Sequence, residues 1–368
     1  MSDHAGFYSK TSHSPRPQKP IQDHSRMPAK VYPDVAEELD SDVAEINYQM
    51  PSASRPDLRP RITIAGVGGA GLNALERIGH IKENAVRLLA LNTDAQSLER
   101  SQADEIFCLG ESLTRGFGAG GDPELGAQAA IQDRHHIAAL LRGSDITFVI
   151  AGLGGGTGAG AAPVVASIAR EIGSLTIGVA SLPFSFEGAR RMKMAQEGLE
   201  RLAQCVDTLI VMPNDALLRV ASTSLSMTDA FARADELIHR GIAGIVNIVT
   251  EPGLINVDLS DIRAALLRAG PGLLSVGEAS GENRAARAVD DAMRGSWLDA
   301  KIAGASRALV NITGSPDMSF TEVTEIAQTI SSIIAEDAHC VFGAVIDNQL
   351  QDTIRVTLVV TGIPAIAA

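Results

Sequence analysis

Cysteine, aromatic side chains and basic charge are all scarce in this sequence of 368 residues. Its three cysteines are too few and too widely separated for a disulfide framework or a zinc site, so we expect buried free thiols in a reducing compartment. Aromatic residues make up only 4% of the chain, whereas its 35 glycines suit places where the backbone approaches a ligand. The cysteines are Cys108, Cys205 and Cys340.

The charge balance and the absence of long apolar runs exclude further classes of protein. With 44 acidic and 31 basic residues the net charge is −13, which argues against non-specific binding to nucleic acid or directly to an anionic membrane. No apolar run reaches the length of a membrane span, and Met1 is followed by polar residues rather than by the core of a signal peptide. The expected location is therefore the cytoplasm.

The first sixty residues differ in composition from the rest of the chain. They hold eight of the sixteen prolines and all three tyrosines, and they show no sustained apolar periodicity. This composition predicts a disordered N-terminal arm over residues 1–60, with a short binding motif inside it as the alternative.

From Arg61 onwards, short apolar strands alternate with helical stretches, a pattern that predicts a parallel sheet covered on both faces. Right-handed crossovers would make this region, residues 61–229, a doubly wound, Rossmann-like domain. The predicted elements are strands at 62–66, 87–92, 146–151, 175–180 and 208–212 and a helix at Pro163–Ile172.

A long central helix is predicted over residues 230–250, followed by a second α+β domain over residues 251–368. One apolar stripe runs along the helix in steps of three and four, and Glu251-Pro252-Gly253 ends it. The stripe consists of Phe231, Ala234, Ile238, Ile242, Ile245 and Val249.

Two glycine-rich loops follow predicted strands. Gly66–Gly71 reads G-x-G-x-x-G ahead of a helix expected near Asn73, which fits a phosphate at a helix N-terminus. Nicotinamide-dependent enzymes use the same kind of loop, a tight turn without ligand is a further alternative, and Asp94 suits a dehydrogenase ribose contact as well. The second loop, Gly154–Gly160, has five glycines in seven positions, and Pro163 is expected in the first turn of the helix after it. Two such loops side by side predict a di- or triphosphate site, and neither continues as a Walker loop.

The second loop is also the signature Gly-Gly-Gly-Thr-Gly-x-Gly of the tubulin/FtsZ family, and the chain resembles FtsZ from about Arg61 to Gly362. The resemblance implies the tubulin/FtsZ fold, GTP and GDP as ligands, Mg²⁺ without direct protein ligands, and self-assembly into filaments. Further matching segments are 66–73, 92–96, 118–124, 183–188, 213–215, 256–261 and 279–282.

The resemblance assigns a nucleotide-binding role to a set of residues in both loops and beyond them. Phe231 would stack on the purine and Asp235, on the same helix face, would accept the two N–H groups of guanine, which adenine lacks. Core packing remains open for Phe231, and ordinary surface charge for Glu187 and Arg191. The implied set is Gly69, Ala70, Gly71, Leu72, Asn73, Gly155, Gly156, Thr157, Gly158, Glu187, Arg191, Asn214, Phe231 and Asp235.

The segment 256–261 resembles the catalytic loop of the family, which enters the nucleotide site of the next subunit. Asn256, Asp258 and Asp261 would then act on the neighbour's GTP, with the two aspartates orienting the attacking water. A helix N-cap at Asp258 or Ser260 is the alternative. A site divided between two different surfaces of one protein builds open filaments.

The sequence departs from FtsZ at its C-terminus, where only six residues follow Gly362. If Ala368 is the native end, the chain resembles a truncated paralogue without the adaptor-binding tail. Two functions then stay open: an assembling GTPase in or near cell division, located at the division site, or a filament subunit with little turnover that co-assembles with a full-length FtsZ. A nicotinamide-dependent oxidoreductase is the third hypothesis, supported only by the first glycine loop.

Overall fold

The computed structural model describes residues 59–78, 86–215, 227–294 and 305–363, with the backbone alone for residues 227–235 and for Arg294. The predicted N-terminal arm therefore lies outside the described residues, apart from its last two.

Ten strands of the described residues form one sheet. The strands are β1 (Ile62–Val67), β2 (Val86–Asn92), β3 (Glu105–Cys108), β4 (Ile146–Gly152), β5 (Leu175–Leu182), β6 (Thr208–Pro213), β7 (Gly270–Ser280), β8 (Arg307–Gly314), β9 (His339–Ile346) and β10 (Thr353–Thr361). Their order across the sheet is β3-β2-β1-β4-β5-β6-β7-β10-β8-β9.

The helices connect these strands and cover the sheet. They are α1 (Gly68–Ile78), α2 (Ala95–Leu98), α3 (Glu111–Thr114), α4 (Pro123–Gln132), α5 (Arg134–Leu141), α6 (Gly156–Glu171), α7 (Ala189–Cys205), α8 (Met227–Thr250), α9 (Leu259–Leu266), α10 (Arg284–Arg294) and α11 (Phe320–Ile333).

The first six strands confirm the predicted doubly wound arrangement. All of them run parallel, and β1 pairs with β2 on one side and with β4 on the other. The order 3-2-1-4-5-6 reverses between β1 and β4, and in such sheets ligands bind at the carboxyl ends of the strands at the reversal point. Both glycine loops begin at that point.

Apolar side chains fill both faces of the parallel sheet, as expected for strands buried on two sides. Ile64 and Phe148 pack into the layer that also contains the buried part of α8, whereas Ala65 and Val149 face the layer under α6. Because neighbouring residues of a strand point to opposite faces, each strand contributes to both layers. Burying a side chain such as that of Phe148 completely is worth about 1.5–3 kcal/mol.

The remaining strands continue the same sheet with mixed direction. β7 pairs with β6 in parallel over Thr208–Ile210, and it pairs with β10 in antiparallel fashion; β10 pairs with β8 in the same way, and β8 and β9 are parallel. α8 packs on this half, and a Cβ at Gly241 or Gly244 would overlap side chains of β7 and β10. The apolar stripe is confirmed where side chains are described, since Ile238, Ile242 and Ile245 are buried and Val249 is partly buried against the same core.

Two predicted helix starts are wrong. α1 begins at Gly68, not near Asn73, and α6 begins at Gly156, so that Pro163 is its eighth residue instead of lying in its first turn. Glycine disfavours helix interiors by about 1 kcal/mol, which led to the prediction of loops. Here close packing outweighs that cost, because a Cβ at Gly158 would overlap the carbonyl oxygen of Gly152.

A buried arginine forms ion pairs with three segments that lie next to the ends of β7, β8 and β10. Arg284, 5% exposed, donates hydrogen bonds to carboxylate oxygens of Glu322 at 2.7 Å, Asp317 at 2.8 Å and Asp352 at 3.0 Å. Glu322 also closes a capping box with Ser319 at the start of α11. The hydrogen bond from Arg284 is the main cause that lowers the pKa of Glu322 to about 2.

Candidate functional site

A cavity of about 260 Å³ lies at the carboxyl ends of the parallel strands. Its walls come from the last residues of β4 and β5 and the residues after them, from the residues that follow β1 and β6, and from Glu187 and Arg191 around the start of α7. The lining residues are Gly69, Ala70, Gly152, Leu153, Gly154, Gly155, Gly156, Thr157, Gly158, Ser181, Leu182, Pro183, Glu187, Arg191 and Asn214.

Two helix N-termini supply the donors of this cavity. The first N–H groups of an α-helix have no partner within the helix, and the helix dipole makes this end attractive to anions. Neither α1 nor α6 has an acidic residue in its first turn, so no carboxylate of the helix neutralises that end. A Cβ at Gly69 or Gly155 would meet no atom within 4 Å, because these positions face open space. The cavity is therefore built to receive an anion such as a phosphate chain.

The two glycine loops touch each other through Thr157. A Cβ at Gly68 would lie 3.3 Å from the Cβ of Thr157, and Gly68 adopts a left-handed conformation with a φ of 74°. On its other side, the Thr157 hydroxyl oxygen lies 2.7 Å from the hydroxyl oxygen of Thr93. Glycine at position 68 thus permits both the turn and the close contact.

Glu187 and Arg191 form an ion pair of 2.6 Å at the cavity wall, one helical turn apart. Glu187 also accepts a hydrogen bond of 2.8 Å from the backbone N–H of Phe184, and its side chain is 17% exposed. Arg191 is 59% exposed, so its guanidinium remains accessible from the cavity. The pair offers an acceptor for a hydroxyl group and a cation for a phosphate.

The structure brings most of the predicted nucleotide-binding residues together. Asn214 is 7% exposed and borders the cavity, although it lies far along the chain from the glycine loops. Gly71 and Leu72 are buried inside α1 and Asn73 is exposed, and none of the three lines the cavity. Phe231 and Asp235 occupy the first turns of α8, but their side chains lie outside the described residues. The brought-together set is Gly69, Ala70, Gly155, Gly156, Thr157, Gly158, Glu187, Arg191 and Asn214.

Sequence reasoning missed the part of the wall formed by the ends of β4 and β5. Gly152 is the last residue of β4 and Leu153 follows it, whereas Ser181 and Leu182 end β5 and Pro183 follows them. The rule that ligands sit at the carboxyl ends of parallel strands was the available signal, and it applies to every strand near the reversal point.

Both predicted catalytic aspartates occupy a helix N-terminus. Asp258 is the N-cap of α9, where its side chain accepts the Asp261 N–H at 2.9 Å, and the Asp261 carboxylate accepts the Asp258 N–H at 3.2 Å. The N-cap alternative is therefore confirmed, and the predicted loop 256–261 is helical from Leu259 onwards. Both carboxylates remain exposed.

Asn256 lies in the segment before this helix, which is fixed to the edge of the sheet. Its side-chain oxygen accepts the Gly253 N–H at 2.9 Å. Leu254 donates its N–H to the Ala344 carbonyl at 2.7 Å, and Ile255 accepts the Ala344 N–H at 3.1 Å. The segment is thus pinned to β9 on one side and to α9 on the other.

The start of α9, which carries Asp258 and Asp261, lies on the side of the sheet where the parallel strands begin, opposite the cavity at their carboxyl ends. Arg263 of α9 donates to the Gly173 carbonyl at 3.1 Å, just ahead of β5, and the Thr208 hydroxyl at the start of β6 donates to the Leu266 carbonyl at 2.5 Å. α9 therefore packs at the amino ends of the strands. Since β4 has seven residues, the two edges are about 20 Å apart. Within one chain the aspartates do not meet the cavity.

Free thiols are present in the described part of the chain, as predicted, but they are half-buried and not fully buried. Burial raises the pKa of all three of them. Among the described residues, no helix is long and apolar enough to cross a bilayer.

Comparison with known proteins gives two family matches. Residues 61–222 match the model of the Tubulin/FtsZ family, GTPase domain, and residues 270–364 match that of the FtsZ family, C-terminal domain. These matches support GTP over a nicotinamide cofactor as the ligand of the cavity.

Solved structures agree with these matches. An empty FtsZ dimer of M. jannaschii is 43% identical, with a TM-score of 0.79 over 83% of this chain and 88% of that one. A GTPγS-bound protofilament of CetZ2 from Haloferax volcanii is 25% identical, with a TM-score of 0.69 over 83% of this chain and 93% of that one. The relatives include proteins that form dimers and protofilaments. With matches to both domain models and this degree of identity, the chain belongs to the FtsZ family of tubulin-like GTPases.

Proposed function

We propose that this chain hydrolyses GTP at the junction between two copies stacked head to tail. One observation carries the proposal: the anion cavity and the exposed pair Asp258 and Asp261 lie at opposite edges of the same sheet. A second copy stacked along the strand direction would place its acidic edge over the cavity of the first. Because the joined surfaces differ, the contact repeats without closing and builds a filament.

Within that junction the described residues have distinct tasks. The N–H groups of Gly69, Ala70 and Gly155–Gly158 bind the phosphates, and Arg191 adds positive charge. Mg²⁺ would enter with the phosphates, without a direct protein ligand, and would supply positive charge against the charge that develops on the leaving group. Asp258 and Asp261 of the neighbouring copy orient the attacking water, and Asn256 of that copy lies beside them.

The base would lie beyond Asn214, towards the first turns of α8. Asp235 would accept hydrogen bonds from N1 and N2 of guanine, and Phe231, one turn earlier, would stack on the ring. An Asp235→Asn variant is expected to lose its preference for GTP over ATP, since a side-chain amide offers only one acceptor. Competition binding with the two triphosphates measures this preference.

Mixing two inactive variants tests the shared site. Asp261→Ala keeps the cavity, and Gly155→Val fills the cavity but keeps the aspartates; each alone is expected to hydrolyse GTP at background rate. In an equimolar mixed filament about a quarter of the junctions combine an intact cavity with intact aspartates, so about a quarter of the wild-type rate returns. A mixture that stays at background, while both variants still pellet with wild-type filaments, refutes the shared site. Wild-type turnover should also rise cooperatively with protein concentration and stop when EDTA removes Mg²⁺.

A filament subunit with little turnover is the second candidate function. The observation in its favour is the capping box, because one oxygen of each aspartate is already engaged within its own chain. Such a subunit would co-assemble with a full-length FtsZ and change the properties of that polymer. Sedimentation with GTP or GDP, alone and with a full-length FtsZ, distinguishes the two: pelleting only in the mixture, with background turnover alone, supports the second.

The cellular task that we propose is septation, with the protein located at the division site. A fluorescent fusion is then expected to form a ring at mid-cell before constriction. An even distribution during constriction contradicts this assignment without affecting the GTPase proposal.

A further inference from the structure

The segment that follows β2 contains a buried threonine to which the proposed function gives no task. Thr93 is 0% exposed, does not line the cavity, and lies at the carboxyl edge of the sheet beside α6. Its hydroxyl oxygen is 2.7 Å from that of Thr157, which does line the cavity. We propose that Thr93 is a positioning residue, which turns the hydroxyl proton of Thr157 towards the phosphates. The inference rests on the proposed nucleotide site.

The chemistry of paired hydroxyl groups supports this role. A hydroxyl has one proton to donate and lone pairs with which to accept. In the pair, either oxygen is able to act as the donor, but Thr157 gives its proton to a phosphate oxygen only when its own oxygen accepts from Thr93. The bond from Thr93 then polarises the Thr157 hydroxyl and makes it a stronger donor to the anion. Removing the Thr93 hydroxyl frees the Thr157 proton to point elsewhere.

The backbone N–H and carbonyl of Thr93 are engaged as well, and this fixes the position of the residue. Its N–H donates to the side-chain oxygen of Asn92 at 2.9 Å. Its carbonyl accepts the Gly118 N–H at 3.0 Å and the Thr114 hydroxyl at 3.3 Å. A backbone held by Asn92, Thr114 and Gly118 fixes the point from which the Thr93 side chain extends, so orienting Thr157 costs little further entropy.

The opposite edge of the sheet provides a matched control. Thr147, also 0% exposed, pairs its hydroxyl with that of Ser174 at 2.8 Å, at the amino end of β4. A Val substitution there removes the same kind of buried hydroxyl pair, far from the cavity. Loss of stability is therefore expected to be similar for Thr93→Val and Thr147→Val, whereas loss of nucleotide affinity is expected for the first alone.

The test measures the dissociation constant of a fluorescent GDP for each full-length variant, with urea unfolding in parallel. Thr93→Val should weaken binding about tenfold, the size of one hydrogen bond to a charged group, and Thr93→Ser should restore it to within about twofold. Thr147→Val should bind like the wild type. Thr93→Cys, which keeps a weak donor, should fall between the Ser and Val variants and serves if the Val variant does not fold.

A double-mutant cycle decides whether Thr93 acts through Thr157. In a Thr157→Val background, Thr93→Val should weaken GDP binding by less than about twofold. The proposal is overturned if Thr93→Val binds like the wild type, if Thr147→Val weakens binding equally, or if the Thr93 effect persists fully without the Thr157 hydroxyl. A wild-type chain that binds neither GDP nor GTP instead overturns the proposed function, before any variant is compared.

Discussion

The Arg284 cluster predicts a pH-dependent contribution to stability. The pKa of Glu322 is lowered from 4.5 to about 2 in the folded chain, and a shift of this size corresponds to at most about 3 kcal/mol, since water screens a side chain that is 23% exposed. A carboxylate with a depressed folded pKa stabilises the fold fully above its unfolded pKa. That contribution is lost as the pH falls from 4.5 towards 2. We expect Arg284→Met to unfold at lower urea concentration than the wild type at pH 7, with the gap closing as the solution is acidified.

The loss of unfolding free energy in Arg284→Met at neutral pH depends on the charges that the substitution leaves unpaired. Arg284 is buried, but Asp317 and Asp352 are 60% and 66% exposed, so the substitution leaves no fully buried charge and is expected to cost less than the about 3–5 kcal/mol of a broken buried ion pair. The matched control is Arg287→Met on the same helix, since the Arg287 side chain is exposed and donates a hydrogen bond of 3.0 Å to the Ser280 carbonyl. Urea titrations at pH 7, 5, 4 and 3 give the comparison. If the difference in unfolding free energy between the wild type and Arg284→Met stays constant across this pH range, the assigned role of Glu322 is refuted.

Four further outcomes are expected. Gly158→Ala should lower stability by about 1–3 kcal/mol in thermal unfolding, because its Cβ would overlap the Gly152 carbonyl. Gly155→Ala should unfold like the wild type, yet bind GDP more weakly in titration, because its Cβ faces the open cavity. A loss of stability as large in Gly155→Ala as in Gly158→Ala contradicts this reasoning. Asp258→Ala should lose about 1 kcal/mol from the helix cap as well as GTP turnover, whereas Asp258→Ser keeps the cap and loses turnover alone. Alkylation of the cysteines at pH 7.5 should be slower in the native protein than in urea, since burial raises their pKa.

Most of the fold was predictable because its signals are local. Short apolar strands, two of them followed by glycine loops, predicted the parallel sheet and the two loops side by side. The apolar stripe of α8 was predictable from apolar residues spaced three and four apart. Asn214 was predicted from a matched family segment, and it borders the cavity. These features depend on residues close together in the sequence, or on a pattern repeated along one element.

The misses depend on contacts between distant segments. The helix starts at Gly68 and Gly156 contradict glycine's propensity, and only the backbone packed against them explains these starts. The pairing of Thr93 with Thr157 joins residues 64 positions apart, and two hydroxyl groups carry no pattern that reveals it. The union of all ten strands in one sheet depends on a ladder of three residue pairs between β6 and β7. The sequence could not decide whether the aspartates at the start of α9 form a helix N-cap or a catalytic loop, because the same residues at the same spacing fit both roles.

The pinning of Leu254 and Ile255 to Ala344 has a consequence for unwanted association. A free strand edge is a template on which another chain adds its own strand, which leads to disordered aggregates. On β9 that template is interrupted at Ala344 by the chain's own backbone. At the opposite border, β3 has only four residues, and Glu105 there is paired with Arg87. Sideways growth of the sheet is thereby discouraged at both borders, and this leaves the strand axis as the direction in which copies are able to add in register.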